Sequence, residues 1–188
     1  MKERKTATMT CTRCGGKRIR VETMKEYHDD GLIGLPGVVV LDAARKYICE
    51  DCGEENGISI PDEEGLEAAA AVARAGIPIP LRGREIRFLR GALGLTARQL
   101  AQFLPATEES VSRWENDKHP MGAQNEKILR LLVARLLKDR APAIGFDELA
   151  ILKGRIEAAP SKRGREPKLL FRRVRIQSKP AWAEPEAA

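Results

Sequence analysis

The chain has 188 residues, 43% of them hydrophobic but only 4% aromatic, and 33 Lys and Arg against 27 Asp and Glu give a net charge of +6. That length suits one ordinary domain or two small ones joined by a linker, and two small domains are expected here. No apolar run approaches the roughly 20 residues of a membrane helix, and the start, Met1-Lys-Glu-Arg-Lys-Thr-Ala-Thr, lacks a signal peptide's apolar stretch, so the expectation is a cytoplasmic protein with no membrane partner.

Charge is distributed unevenly. Residues 1–60 carry ten basic and ten acidic groups, residues 81–140 twelve and seven, and residues 161–179 eight and one. A polyanion would therefore be drawn to the second half. The first sixty residues, poor in aromatics, need some staple other than a large core.

That staple is legible in two matching segments, Cys11-Thr-Arg-Cys14-Gly15 and Cys49-Glu-Asp-Cys52-Gly53, which hold every cysteine of the chain. In a reducing compartment, paired cysteines serve as metal ligands or redox groups more often than as disulfides. A Cys-x-x-Cys turn offers two thiolates to one tetrahedral ion, and two such turns close a four-sulfur site with no open position. One structural Zn2+ on Cys11, Cys14, Cys49 and Cys52 is expected. Gly15 and Gly53 fit, because a chain wrapping a metal turns with positive φ, which glycine adopts without penalty. A thiol-disulfide enzyme would sit in a strand-helix-strand order that is missing here, and haem attachment would need a His after the second cysteine. His28 is a further ligand candidate, but four thiolates already complete the site and a solvent-facing imidazole is expected.

Between the knuckles lie 34 residues, a long spacer that reads as an inserted hairpin. Gly31, Gly34, Pro36 and Gly37 are turn residues feeding a strand at Val38-Val39-Val40-Leu41, and Ile19, Val21 and Tyr47-Ile48 supply other strands. No Lys-Ser/Thr follows these glycines, so they are not a phosphate loop. From Asp62-Glu63-Glu64 an acidic start and an alanine run predict a short helix, ended by Gly76-Ile-Pro78-Ile-Pro80, a stiff extended boundary.

Three short helices follow. Arg84 to Leu93 places Ile86, Leu89 and Leu93 on one face. Thr96 caps a second helix, with Gln99 completing a capping box and Leu100 and Leu104 as core contacts. Thr107 caps a third, in which Val111 and Trp114 face inward and Glu108, Glu109, Ser112 and Arg113 face outward. From Asn125 to Leu137 there are two apolar strips, Ile128, Leu131, Leu132 and Leu136, and Leu129, Val133 and Leu137. One suffices for a monomer's core, so part of this helix is expected to form a two-fold dimer contact.

Leu95-Thr-Ala-Arg-Gln-Leu-Ala-Gln-Phe-Leu104, a turn, and Val111-Ser-Arg-Trp-Glu115 resemble the helix-turn-helix of Xre and Cro repressors over residues 82–138. The resemblance implies that the third helix lies in the major groove of double-stranded DNA. There Arg113 reaches guanine O6 and N7, Thr107, Glu108, Glu109 and Ser112 share the reading face, and Arg98, Gln99, Asn116 and Lys118 are placed toward phosphate. A homodimer would match a palindromic operator. Two departures stand out. Pro105 occupies the turn where relatives have glycine, so the turn takes another geometry. Glu108 and Glu109 suit a helix N-terminus but repel phosphate, and serve specificity by exclusion unless one accepts a bond from cytosine N4.

The whole order, two Cys-x-x-Cys-Gly knuckles, an acidic helix and this motif, resembles the MqsA/YgiT-type antitoxin family over residues 9–138. The expected organisation is an α+β chain: a zinc-ribbon β domain at 1–60, a connector helix and Pro-rich linker at 61–80, an all-α helix-turn-helix domain at 81–140, and, less usual for that family, a basic, partly disordered tail at 141–188. The resemblance also implies a repressor of its own operon and a small toxin protein as partner. The alternative is a stand-alone zinc-ribbon regulator responding to metal or oxidation. No His-Glu-x-x-His, phosphate loop or nucleophile-base set supplies an enzyme mechanism. In the tail, Ser161-Lys-Arg-Gly-Arg165-Glu-Pro-Lys168 is similar to a minor-groove hook interrupted by Glu166. A disordered basic arm is expected, with a strand at Leu169 to Ile176 docking Phe171 and Trp182 on a partner as the other reading.

Overall fold

The structure is a computed structural model that describes residues 9–28, 31, 33–154, 167–176 and 178–185. The chain is α+β, with strands first, helices after them, and two strands at the end. In chain order come β1 (Ile19–Thr23), β2 (Glu26–His28), β3 (Val38–Leu41), β4 (Arg45–Cys49) and β5 (Glu55–Ser59). Among the described residues six helices follow: α1 (Glu63–Gly76), α2 (Gly83–Ala92), α3 (Ala97–Phe103), α4 (Glu108–Glu115), α5 (Ala123–Leu137) and α6 (Glu148–Lys153). The last elements are β6 (Leu169–Ile176) and β7 (Lys179–Ala183).

The strands make two sheets. The first, ordered β1-β4-β5 and antiparallel, carries the cysteine knuckles, and its register places Ile19 opposite Cys49. Its own apolar cluster is small: Cys11, Ile19 and Cys49, with Tyr47 packed against them. The second sheet is ordered β2-β3-β6-β7, with β3 and β6 parallel and Val40 opposite Phe171. Val38, Val39 and Val40 are all buried, as expected of a β-branched run in a strand covered on both faces and paired on both edges.

The tail therefore differs from the expected basic arm. Leu169 to Ile176 is a strand, and the surfaces that receive Phe171 and Trp182 belong to this chain, not to a partner. Both side chains are buried in the main core, because alternate residues of β6 and β7 turn toward α1. The Trp182 indole N–H donates to the Asp62 carbonyl at 3.0 Å, the Arg173 guanidinium bonds the Asp62 carboxylate at 2.6 Å, and it stacks 4.9 Å from the Trp182 ring centre. The hook-like residues 161–166 lie outside the described residues.

Helix α1 is not a plain spacer. Asp62 caps it, accepting from Gly65 N at 3.1 Å, and every residue from Ala68 to Ala75 is buried. A helix apolar around its circumference must be covered around its circumference, and α1 packs against α2 and α5 as well as β6 and β7. One continuous apolar cluster runs from Ile33 and Leu35 through α1 to the helices and Trp182.

Helix α1 ends at Gly76 with Ile77 extended, and residues 77–80 are clamped. Arg74 bonds Glu85 at 2.5 Å and donates to the carbonyls of Ile77, Ile79 and Pro80. Arg130 bonds Glu126 at 2.6 Å and donates to the carbonyls of Ala75, Ile77 and Ile79. Pro78 and Pro80 contribute no N–H, so this segment presents mostly acceptors, and two guanidinium forks satisfy them.

Candidate functional site

Two places gather polar side chains with chemistry: the four cysteines, and the outer face of α4.

Each cysteine knuckle is closed by its own backbone. Gly15 N donates to Cys11 O at 3.0 Å and Gly53 N to Cys49 O at 2.9 Å, with Gly15 at φ 73° and Gly53 at φ 75°. The predicted left-handed glycines are therefore present at both turns, and each aims a pair of sulfurs at the other. Cys11 Sγ lies 3.6 Å from Cys52 Sγ, Cys14 Sγ lies 3.7 Å from Cys49 Sγ, and all four sulfurs fall within 4.8 Å of one another. Sulfurs about 2.3 Å from a common zinc stand roughly 3.8 Å apart at tetrahedral angles, so the set fits one ion, as in a zinc ribbon.

The protonation of the thiols points the same way. Hydrogen bonding from the Cys14 backbone, reinforced by Arg13, Asn56 and Cys52, draws the Cys11 thiol down to about 6. The Glu54 backbone pulls in the same direction on Cys52, yet its thiol neighbours and burial outweigh it and push Cys52 up to about 12. Cys14 is raised as well; the Gly16 N–H and the Cys52 thiol oppose the shift, and desolvation with Cys49 and Cys11 supplies it. Four sulfurs this close cannot all carry negative charge without a cation among them. His28 stands apart, exposed and 3.0 Å from Glu26.

Around the knuckles four basic side chains are paired: Arg13 bonds Glu54, Arg18 bonds Asp51, Arg20 bonds Glu22 and Lys46 bonds Glu55.

The face of α4 is built by caps. Thr96 and Gln99 form the expected capping box at α3, with N–H···O distances of 3.2 Å and 2.8 Å. Thr107 caps α4 by accepting from Ser110 N at 3.2 Å. Leu104 ends α3 in an extended conformation, φ −112° and ψ 147°, which is the geometry a residue before proline prefers. Pro105 thus turns the chain without a left-handed residue. Leu100, Leu104, Val111 and Trp114 are buried between the helices.

The residues singled out from sequence are all on the surface. Arg98 and Gln99 are exposed at the start of α3, Thr107, Glu108, Glu109, Ser112 and Arg113 along α4, and Asn116 and Lys118 just after it. Glu109 and Arg113 meet, at 2.5 Å. Asn116 is already engaged: its Nδ2 donates to Ser112 O at 2.7 Å and its Oδ1 accepts from Arg87 at 3.1 Å.

No family model, no curated protein and no solved structure matches this chain. What positions α4 must be read from its own contacts. Glu115, buried, accepts from Arg90 at 2.5 Å and from Arg87 at 3.4 Å, and Arg90 also donates to Leu95 O at 2.7 Å. The Glu115 carboxylate raises the Arg90 pKa further. Gly83 N donates to Asp117 at 2.7 Å, and a Cβ on Gly83 would stand 2.6 Å from Glu115 O. Sequence reasoning missed Gly83, Arg87 and Arg90, and named Glu115 only as the end of the Val111–Glu115 motif. A usable signal was present: Arg87 and Arg90, three apart, share one face of α2, and Glu115 follows a buried Trp on a short helix.

Beyond α4, α5 buries Leu129, Val133 and Leu137. Ile128, Leu131 and Leu132 are only half-buried, and Leu136 is exposed. An apolar cleft of about 400 Å3 lies between α5 and α6, lined by Ala123, Gln124, Lys127, Ile128, Leu131 and Leu152. Among the described residues no helix is long and apolar enough to cross a membrane.

Proposed function

We propose that this protein is a sequence-specific DNA-binding repressor with a structural zinc ribbon, and that it acts as the antitoxin of a type II toxin-antitoxin pair, repressing its own operon. The observation that carries the DNA-reading part is the pair α3 and α4. Two short helices, each capped by a threonine, meet at a tight turn over buried Leu100, Val111 and Trp114 and leave α4 with an outward polar face. In this reading α3 and α4 are a helix-turn-helix, Arg113 reads a base, and Arg98, Gln99 and Lys118 meet phosphate. The four sulfurs hold zinc, which supplies folding energy to a sheet with little core of its own. Its role is structural and the protein is not an enzyme.

The half-exposed strip Ile128, Leu131, Leu132 and Leu136, with the cleft beside it, supports a homodimer matching a palindromic operator. The toxin rests on the family resemblance and on the module order.

One observation favours the second reading, a stand-alone zinc regulator. Strand β6 occupies the edge of β3, and Trp182 covers the start of α1, so this chain fills from its own tail a surface that a partner strand would otherwise use. Co-expression with the product of the adjacent small open reading frame separates the two. A stoichiometric partner that is toxic when expressed alone supports the antitoxin, whereas retention of promoter DNA with no partner supports the regulator.

A further inference from the structure

Glu109, Ser112, Arg113 and Asn116 lie at helix spacings of three and four, so they form one stripe along the exposed face of α4. Asn116 is held at both ends of its amide, by Ser112 O and by Arg87. That leaves Arg113 as the long donor on the stripe, and it is not loose. One of its terminal nitrogens bonds Glu109 Oε1 at 2.5 Å. The neighbouring Glu108 makes no ion pair among the described residues. A guanidinium carries five N–H donors in a rigid fork and needs two of them for guanine O6 and N7. Committing one edge to a carboxylate keeps a pair available and fixes the direction in which it points.

We propose that Glu109 and Arg113 act as one reading unit, in which Glu109 is a positioning residue that holds the Arg113 guanidinium for guanine and so selects a G·C pair at one operator position. This rests on the DNA-reading function proposed above. The carboxylate has two effects that act together. It restrains a long side chain that would otherwise swing to the nearest phosphate, where it would carry no sequence information. Its own charge also opposes close approach of the phosphate backbone, which weakens binding to unrelated duplex. Both effects raise the ratio of specific to non-specific binding. Both side chains are more than half exposed, so the pair adds little to the fold. Within a groove the same pair loses water, and its orienting force grows.

The test uses the full chain, metal-loaded, and the duplex it selects from a randomised pool. Fluorescence anisotropy competition compares duplexes in which each G·C pair is changed in turn to A·T, for wild type, Arg113→Ala, Glu109→Gln and Glu109→Ala, with thermal melts showing that all four are folded. At one position wild type should discriminate about tenfold or more, and Arg113→Ala should abolish that discrimination. Glu109→Ala should cut it several-fold at the same position while binding unrelated duplex as tightly as wild type or more so. Glu109→Gln should fall between, since its carbonyl still accepts from Arg113. The pairing is overturned if Glu109→Ala keeps the full Arg113-dependent discrimination, if it weakens all duplexes alike, or if discrimination survives in Arg113→Ala. Wild type that binds every duplex equally, or none, overturns the DNA-reading function and this inference with it.

Discussion

Four of the five buried charges among the described residues, Arg74, Glu85, Glu126 and Arg130, are costly groups in the core, and each is retained by several partners. Burial lowers the Arg130 pKa, opposed by the Glu126 carboxylate. Glu126 also accepts from Leu81 N at 3.1 Å, so one carboxylate joins α5 to the start of the α2 segment. Arg130→Met would leave Glu126 buried without its cation and strip the Ala75, Ile77 and Ile79 carbonyls of donors. We expect a loss of about 3–5 kcal/mol in urea unfolding, against well under 1 kcal/mol for the exposed Arg135→Met. Trp182→Ala should also act as a core substitution, costing about 3–5 kcal/mol. A change near zero would mean that β7 does not close on α1.

At the scale of elements, the first sheet would depend on an ion held by the four sulfurs in a way the second does not. Its apolar cluster is the smaller one, whereas β3, β6 and α1 share the large core. Chelation should therefore broaden or shift the amide resonances of residues 9–23 and 45–59 while those of α1, α5 and β6 persist. Metal return to the chelated protein at pH 7 should release protons. Cys11, drawn down to about 6, is already largely thiolate at that pH and contributes little. Cys14 and Cys52 are raised, hold their protons at pH 7 and must give them up to the ion. Calorimetry in buffers of different ionisation enthalpy should report roughly two protons or more per metal, and metal affinity should fall more steeply with pH below about 6, where Cys11 too must give up a proton to bind.

For the molecule as a whole, α1 is the piece through which the second sheet and the helices are joined. It packs on β6 and β7 and on α2 and α5, and the clamped segment after it leaves no slack. The surface strip on α5 and the cleft beside α6 are apolar on an otherwise charged protein, and we expect light scattering at micromolar concentration to give twice the chain mass. Leu136→Lys, at a position more than half exposed, should then yield a monomer with an unchanged thermal midpoint. If Leu136 instead packs only within its own chain, the mass stays the same.

What the sequence by itself determined was local. Two Cys-x-x-Cys-Gly turns, threonine caps with Gln99 or Ser110 in reach, and apolar residues three and four apart dictate their own geometry over a few residues, and the structure has each of them where the spacing put it. Tertiary structure decided what depends on which distant segments meet. Leu169 to Ile176 is basic enough to read as an arm, and it becomes a strand because β3 offers an unpaired edge and α1 an uncovered face. The alanine run of α1 reads as a spacer and is a buried spine for the same reason. Which strip of α5 enters the core, and why Arg74 and Arg130 can be buried at all, likewise depend on partners far along the chain. Hydrogen bonding and burial act between neighbours in space, and only the folded chain makes those neighbours.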